Sequence, residues 1–394
     1  MNAEVRPGYK QTEVGVIPQD WEVKRLRDIS PSQTVGLVIN PSSYFDEAGT
    51  IPMLVGSHVS ENSISWQTAN KITEKSNNQV SASRLYANDL VMVRVGEPGV
   101  TAVVPPELDG CNCASMMIIR QGRAFDSTWL CYVMNSDIGR KQVENVQYGT
   151  AQKQFNISDA VNFVYPTPPF AEQKAIASAL SGVESVITSL DQLIAKKRDI
   201  QQAAMQQLLT GQRRLPGFSG EWEVKRLGDV VEIKKGQLIT EKLASSGDIP
   251  VVAGGKKPAY FHSAANRSGK NITISASGAS AGYVAFFETP IFASDCSTIG
   301  ESDKYEILFV YYFLKSRQED IYKAQTGGAQ PHIHPADIYP LVVTWPDKAE
   351  QTAIATILSD MDSERAMLEA RRDKAKQLKV GMMQQLLSGS LRII

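Results

Sequence analysis

Apolar residues are spaced in two different ways along this chain. From Phe170 to Thr210, the residues Ile176, Leu180, Val183, Ile187, Leu190 and Ile194 step by 4, 3, 4, 3 and 4, a spacing that puts them on one helix face as an a/d seam. Pro168 and Pro169 precede the stretch and Gly211 follows it, the usual punctuation of a helix start and stop. A second stretch, residues 348–388, follows Pro346 and stops at Gly389, with Leu358, Met361, Leu368, Ala375, Met382 and Leu386 as its apolar members. Each predicts a helix about 60 Å long at about 1.5 Å per residue. A small domain cannot bury a seam of that length. The simplest solution is that the two seams pack on each other as an antiparallel pair related by a pseudo-two-fold axis. Burial against separate domains, or an intermolecular coiled coil, is the alternative. Gly182 and Gly381 are positions where either helix can bend.

The rest of the chain shows short apolar runs broken by turn residues. Examples are "DLVMVRVGEPGVTAVVPPELDG" at 89–110 and "NITISASGASAGYVAFFETPIFASD" at 271–295. Val, Ile, Thr and aromatic residues punctuated by Gly and Pro predict short strands. The fold class is therefore α+β: two globular domains with mainly β cores, at about 1–168 and 214–346, separated by two long helical segments at 169–213 and 347–394.

The two halves repeat one another. WEVKRL occupies Trp21 to Leu26 and returns at Trp222 to Leu227; EQKAIASAL from Glu172 returns as EQTAIATIL from Glu350, with six of nine positions identical; MQQLLTG from Met205 returns as MQQLLSG from Met383. The last two pairs are offset by 178 residues and the first by 201. Self-similarity at this scale marks a duplicated architecture, and the unequal offsets mean that the halves share their ends and differ in their middles.

At 394 residues two or more domains are expected on size alone. With 42% hydrophobic and 21% charged residues the composition is that of an ordinary globular protein. No run of about 20 apolar residues is present, and the N-terminal MNAEVRPGYKQTEV has no apolar signal segment, so no membrane partner and a cytoplasmic location are expected. Cys111, Cys113, Cys131 and Cys296 are too few for a disulfide framework and lack the second pair of a zinc site, so they read as packed thiols.

No phosphate-binding GxxxxGK[ST] or GxSxG elbow occurs. TPPF at Thr167 to Phe170 offers a hydroxyl where an amino-group methyltransferase loop needs a carboxylate or carboxamide, and reads as prolines that open the helix. GASAG at Gly278 to Gly282 reads as a tight turn. His332 and His334 lack further ligands apart from Asp337, so no metal is expected. The chain reads as noncatalytic. A net charge of −1 excludes a strongly basic nucleic-acid binder, yet the charge is unevenly placed. No acidic residue lies between Asp248 and Glu288, a window holding Lys256, Lys257, Tyr260, His262, Arg267 and Lys270. Acid-free windows also run from Glu144 to Asp159, with Tyr148, Thr150, Gln152 and Lys153, and 178 residues later from Asp320 to Asp337, with Thr326, Gln330, His332 and His334. Cations, amides and hydroxyls are the groups that position phosphates and read base edges. With so little net positive charge, such a chain depends on a basic partner for much of its phosphate contact.

These features resemble the specificity subunits of type I restriction-modification systems over essentially the whole chain. The resemblance is carried by "IPQDWEVKRLRDI" and "FSGEWEVKRLGDV", by "YGTAQKQFNISDAVNFVYPTPPFAEQKAIA" and "TGGAQPHIHPADIYPLVVTWPDKAEQTAIA", and by the two MQQLL endings. It implies two variable target-recognition domains alternating with two spacer helices, and a noncatalytic role in reading a bipartite, asymmetric DNA site. It also implies two methylation subunits that carry S-adenosylmethionine, with motor-nuclease subunits using ATP and Mg as further partners; no cofactor is expected in this chain. "VVAGGKKPAYFHSA" is similar to a common version of the recognition domain, which implies DNA contacts from Lys256, Lys257, Tyr260, His262 and Arg267; "RVGEPGVTAVVP" looks like the corresponding turn of the first domain, with Arg94 at its edge. A duplicated protein-binding scaffold is the competing expectation.

Overall fold

A computed structural model describes residues 6–150, 152–328 and 330–393. The first five residues of the N-terminal stretch read above lie outside the described residues. The chain divides into two compact units, residues 1–189 with 372–394, and residues 190–371. Each unit is β-rich and holds one half of each long helix.

In the first unit the repeated hexapeptide forms a strand, Glu22–Arg25, paired antiparallel with Val164–Thr167. Trp21 and Leu26, which flank it, are fully buried. The main sheet has four antiparallel strands in the order Thr101–Val103, Leu90–Val93, Met116–Ile119, Gln33–Val35. The central runs LVMV and MMII are apolar at every position because both faces of the sheet are covered. Leu90, Met92, Met117 and Ile119 face a core shared with Trp129, Leu130 and Val133 of helix α1 (Ser127–Asn135). Val91, Val93, Met116 and Ile118 face a second core with Leu54, Val59 and Leu85. Behind it a smaller sheet pairs Ile51–Leu54 in parallel with Asn112–Cys113.

Helix α2 (Phe170–Leu209) leaves this unit for the second, where the same plan recurs. Strand Glu223–Arg226 pairs with Val342–Trp345, and the main sheet orders Val284–Phe287, Asn271–Ser275, Cys296–Gly300, Lys234–Lys235. A parallel pair joins Ile249–Val252 to Phe292–Ala293. Helix α3 (Ile307–Ser316) covers one face, where Ile272, Ile274 and Ile299 pack on Val310, Phe313 and Leu314. The other face differs: Thr273, Ser275 and Thr298 are buried there, and the apolar cluster on that side is reduced to Val252, Ile291, Ala293 and Cys296. Helix α4 (Lys348–Leu387) ends the repeat.

Along α2, Ile176, Leu180, Ile187, Leu190 and Ile194 are buried and Val183 is half-buried. Along α4, Leu358 and Leu386 are buried, while Met361, Leu368 and Met382 are half-buried. Gly182 and Gly381 lie within unbroken helix. In the first unit Ile176 and Leu180 share a core with Leu386 and Leu387, and Glu184 is ion-paired with Lys379. In the second unit Leu208 and Leu209 share a core with Ile354, Ala355 and Leu358, and Lys197 is ion-paired with Glu364 at 2.6 Å.

The repeated EQ pair has a specific structural task. Glu172 accepts from Trp21 Nε1 at 3.0 Å and from Arg392 at 2.6 and 2.7 Å. In the second unit Glu350 accepts from Trp222 Nε1 at 2.8 Å and from Arg214 at 2.7 Å through both oxygens. The following glutamines tie the helix to its neighbour. Gln173 accepts from the backbone of Asp126, which caps α1, and Gln351 accepts from that of Glu306, which caps α3; both bonds are 2.9 Å. Gln173 Nε2 and Gln351 Nε2 donate to the carbonyls of Pro168 and Pro346, so the prolines open the helices.

Candidate nucleic-acid interface

Each domain builds one surface from loops distant in sequence. In the first, Tyr148 and Gln154 exchange backbone hydrogen bonds of 2.9 Å, closing a hairpin over 148–154. That hairpin docks on the turn after strand Leu90–Val93, where Gly96 N donates to Lys153 O at 3.0 Å and Val95 bridges to Gln154. In the second domain Thr326 and His332 exchange bonds of 2.9 and 2.8 Å, Gly278 N donates to Pro331 O at 3.0 Å, and Ser277 bridges to His332. Gly149 and Gly327 adopt φ of 95° and 87°, a region open mainly to glycine. A Cβ at Gly327 would also lie 2.6 Å from Gln330 O, and one at Gly149 would strike Gln152 O. GASAG is a turn, with Gly278–Ser280 in one 3₁₀ turn.

On these loops Tyr148, Thr150, Gln152, Lys153, Thr326, Gln330 and His334 are exposed. Tyr148 Oη donates to Asn156 at 3.0 Å. His332 is half-buried, its ring within 4° of parallel to that of His334. A third loop joins each surface. In the first domain it is Gly56 and Ser57, which with Glu97, Ser115 and Gln152 line a cavity of about 710 Å³. In the second it is residues 253–258, held by Ser275 Oγ donating to Gly255 O at 3.2 Å; there Lys256 and Lys257 are exposed, with Lys256 Nζ 5.5 Å from the centre of the Tyr283 ring. Arg94 opens the first-domain turn, half-buried, and its Nε has no partner among the described residues.

Four residues of the acid-free window 248–288 are not brought to this surface by their observed contacts. Tyr260 Oη donates to Ile239 O at 2.5 Å, and His262 Nδ1 accepts from Ser245 N at 3.0 Å. Arg267 donates to Thr298 Oγ1, Asn266 O and Lys235 O at 2.7–2.9 Å, so its guanidinium ties strands together. Lys270 adjoins Asn271, at the opposite end of strand Asn271–Ser275 from the hairpin, about 13 Å away at about 3.3 Å per residue. Arg267 instead lines a separate cavity of about 1060 Å³ with Arg226, Asp229, Lys234, Glu301 and Lys304, whose mixed charges do not form a phosphate cradle. A window continuous in sequence therefore serves two ends of one strand. Conversely, Ser115 and Asp295 occupy matched positions on the two loop surfaces and carry no sequence signal; a search for acid-free segments passes over Asp295 by construction.

All four cysteines are buried and free. Burial pushes the thiols of Cys111, Cys131 and Cys296 up to about 12 and raises Cys113 as well. Among the described residues no group of three or more His, Cys, Asp or Glu is placed to hold a metal ion, and no helix is long and apolar enough to cross a membrane.

Two copies of one β-rich domain, each ending in a polar three-loop surface and joined through long helices, make a duplicated architecture. Residues 219–377 match the protein family described as "Type I restriction modification DNA specificity domain". Over 222 residues the chain is 25% identical to the type I restriction enzyme MjaVIII specificity subunit of Methanocaldococcus jannaschii, a match covering 54% of this chain and 50% of that relative, half its length. Against the putative MjaX specificity subunit of the same organism the identity is 22%, with 98% of this chain and 97% of the relative covered. The fold is similar to that of the crystal structure of the type I restriction-modification S subunit from M. genitalium, with a TM-score of 0.67, 98% of each chain covered and 15% identity. This chain is homologous to the specificity subunits of type I restriction-modification systems.

Proposed function

We propose that this noncatalytic chain reads a bipartite, asymmetric DNA sequence for a methylation complex, one half-site per domain. The observation that carries the reading is the duplicated three-loop surface: the strand register and the hairpin-to-turn hydrogen bonding recur in both domains, and the side chains on them differ. One scaffold with two side-chain sets is what two unlike half-sites require, since base edges are distinguished by donors and acceptors. On this reading residues 1–168 and 214–346 are the recognition domains, with 169–213 and 347–394 as spacers. Gln152, Lys153, Lys256, Lys257, Thr326, Gln330, His332 and His334 are the DNA contacts best supported by their exposure or loop position, with Tyr148, Thr150 and Arg94 beside them.

The helices set the gap between half-sites. Within the first unit α2 residue Glu184 meets Lys379 while Ile176 and Leu180 lie with Leu386. Within the second, Lys197 meets Glu364 while Leu208 lies with Ile354. Partner numbers fall on α4 as they rise on α2, which supports an antiparallel spacer. The net charge of −1 makes phosphate binding by this chain alone weak and salt-sensitive. Two methylation subunits that bring S-adenosylmethionine and basic surface complete the complex, and motor-nuclease subunits using ATP and Mg join it for cleavage.

The test is to coexpress the chain with its methylation subunit and map methylated adenines across the host genome. A bipartite motif with a fixed gap is expected, and exchange of residues 214–346 for those of a relative should change one half only. A stable, methylation-competent complex without any motif would refute sequence reading and favour a protein-binding scaffold.

A further inference from the structure

The two loop surfaces share a floor position that differs in charge. Backbone register aligns them: Val93 pairs with Met116 in the first domain as Ser275 pairs with Cys296 in the second. Val95 bridges to the first hairpin as Ser277 does to the second. Ser115 and Asp295 therefore occupy the same place, one residue before the matched strands. Asp295 is half-buried, between the turn that carries Ala276 and Ser277 and the loop that carries Gly254. Its carbonyl accepts from Ala276 N at 3.1 Å, its Oδ2 accepts from Ser277 Oγ, and Ser277 in turn bridges to His332. Gly254 admits it: a Cβ there would lie 2.7 Å from Ser277 O and 3.1 Å from Asp295 Oδ2.

Among the described residues Asp295 has no ion-pair partner, although Lys256 and Lys257 lie on the adjoining loop, and its Oδ1 accepts no hydrogen bond. A fixed, unneutralised carboxylate is unfavourable on a surface that approaches phosphates. The exception is a carboxylate that meets a donor on a base: cytosine N4 and adenine N6 present amino groups in the major groove, and carboxylates accept from such groups. In the first domain the same place carries Ser115, neutral and held at φ 58°. That conformation is costly for a residue with a Cβ and is kept where surrounding structure enforces it.

We infer that Asp295 and Ser115 are matched specificity-determining residues, with the Asp295 carboxylate accepting from the exocyclic amino group of a cytosine or adenine in its half-site and the Ser115 hydroxyl facing the equivalent base pair in the other. This inference rests on the DNA-recognition reading above. It explains why two domains of one fold read unlike sequences at a common position: one offers an acceptor alone, the other a group that both donates and accepts.

The experiment compares the full chain with Asp295→Asn and Ser115→Ala, each coexpressed with the methylation subunit, by genome-wide mapping of methylated adenines. The amide of Asp295→Asn both donates and accepts, so one position of one half-site should broaden to bases presenting acceptors, with roughly a ten- to hundredfold loss of discrimination there. The gap and the other half-site should stay as they are, and Ser115→Ala should alter only that other half. The base required by the parent at the affected position identifies the amino group as that of cytosine or adenine. An unchanged motif with unchanged relative methylation of sites overturns the inference, as does failure of Asp295→Asn to assemble, which makes the residue structural. Should Asp295→Asn assemble but not methylate, selection of bound sequences from random DNA by the purified complex decides: loss of preference at one position supports the inference, and loss throughout both halves overturns it. Absence of a motif in the parent overturns the recognition reading itself and is thereby distinguishable.

Discussion

Replacing Arg392 by Met should destabilise the N-terminal unit far more than replacing its partner Glu172 by Gln. Glu172 is 6% exposed at its side chain and Arg392 is 26% exposed; Arg392 also reaches the half-exposed Asp20 at 2.8 and 2.9 Å. Without the guanidinium, the Glu172 carboxylate stays buried with Trp21 Nε1 as its remaining donor. Breaking a buried pair in this way costs about 3–5 kcal/mol, and the lower end applies because the vacated side opens to solvent. Removing the charge of Glu172 instead leaves Arg392 paired with Asp20 and hydrated, and Gln still accepts from Trp21, so about 1–2 kcal/mol is expected. Adding Glu172→Gln to Arg392→Met removes the stranded charge and should restore part of the loss. The assay is hydrogen exchange at the amides of strands Glu22–Arg25 and Val164–Thr167, which reports local opening directly and does not require the two units to unfold together. Exchange should accelerate by about a hundredfold or more in Arg392→Met and by about tenfold in Glu172→Gln. Equal effects, or a double variant no better than Arg392→Met, would refute the buried-charge account.

Gly327→Ala should break the second hairpin, through a positive φ that costs an L-residue about 1–2 kcal/mol and a clash with Gln330 O; methylation mapping should show loss of one half-site's selectivity, and an unaltered motif counts against a reading role for that loop. With thiols buried and pushed up to about 12, Cys111, Cys131 and Cys296 should resist iodoacetamide in the native chain and react once it is unfolded, as mass spectrometry can check. Burial pushes the Asp362 carboxyl up, but hydrogen bonds from Gln201, Arg365 and Tyr312 outweigh it and hold the group below its ordinary value. A folded value below the unfolded one contributes stability at neutral pH that is lost as pH falls through the carboxylate range. Thermal unfolding should therefore separate Asp362→Asn from the parent at about pH 6 and much less at about pH 3; a constant gap would show that the contribution is not carried by the charge.

The helical segments were legible because their signal is local: a 4,3 alternation bounded by Pro and Gly belongs to the helix whatever it packs against. The stretch 89–110 was legible as short strands for the same reason, though not that their sheet has a core on both faces. The duplication was legible from identity alone, but the reason for it was not. Trp21, Glu172 and Arg392 are brought together from separations of 151 and 220 residues, and no periodicity encodes such a meeting.

Charge along the sequence does not fix where cations lie in space. Lys256 and Lys270 share one acid-free window, yet the chain between them, strand Tyr260–His262 included, runs to the far end of strand Asn271–Ser275, so the window's cations are divided between the loop surface and a mixed-charge cavity. Excluding acidic residues finds groups that attract phosphate, which set affinity, and discards the carboxylate that can tell one base from another. The repeated segments explain why. WEVKRL, EQ and MQQLL are constrained by the Trp–Glu hydrogen bonds and buried Leu contacts that close each domain against its helix, so they recur. The loop floor carries Ser115 in one copy and Asp295 in the other under the same backbone register, and a position free to vary inside a constrained frame is where one fold can acquire two readings.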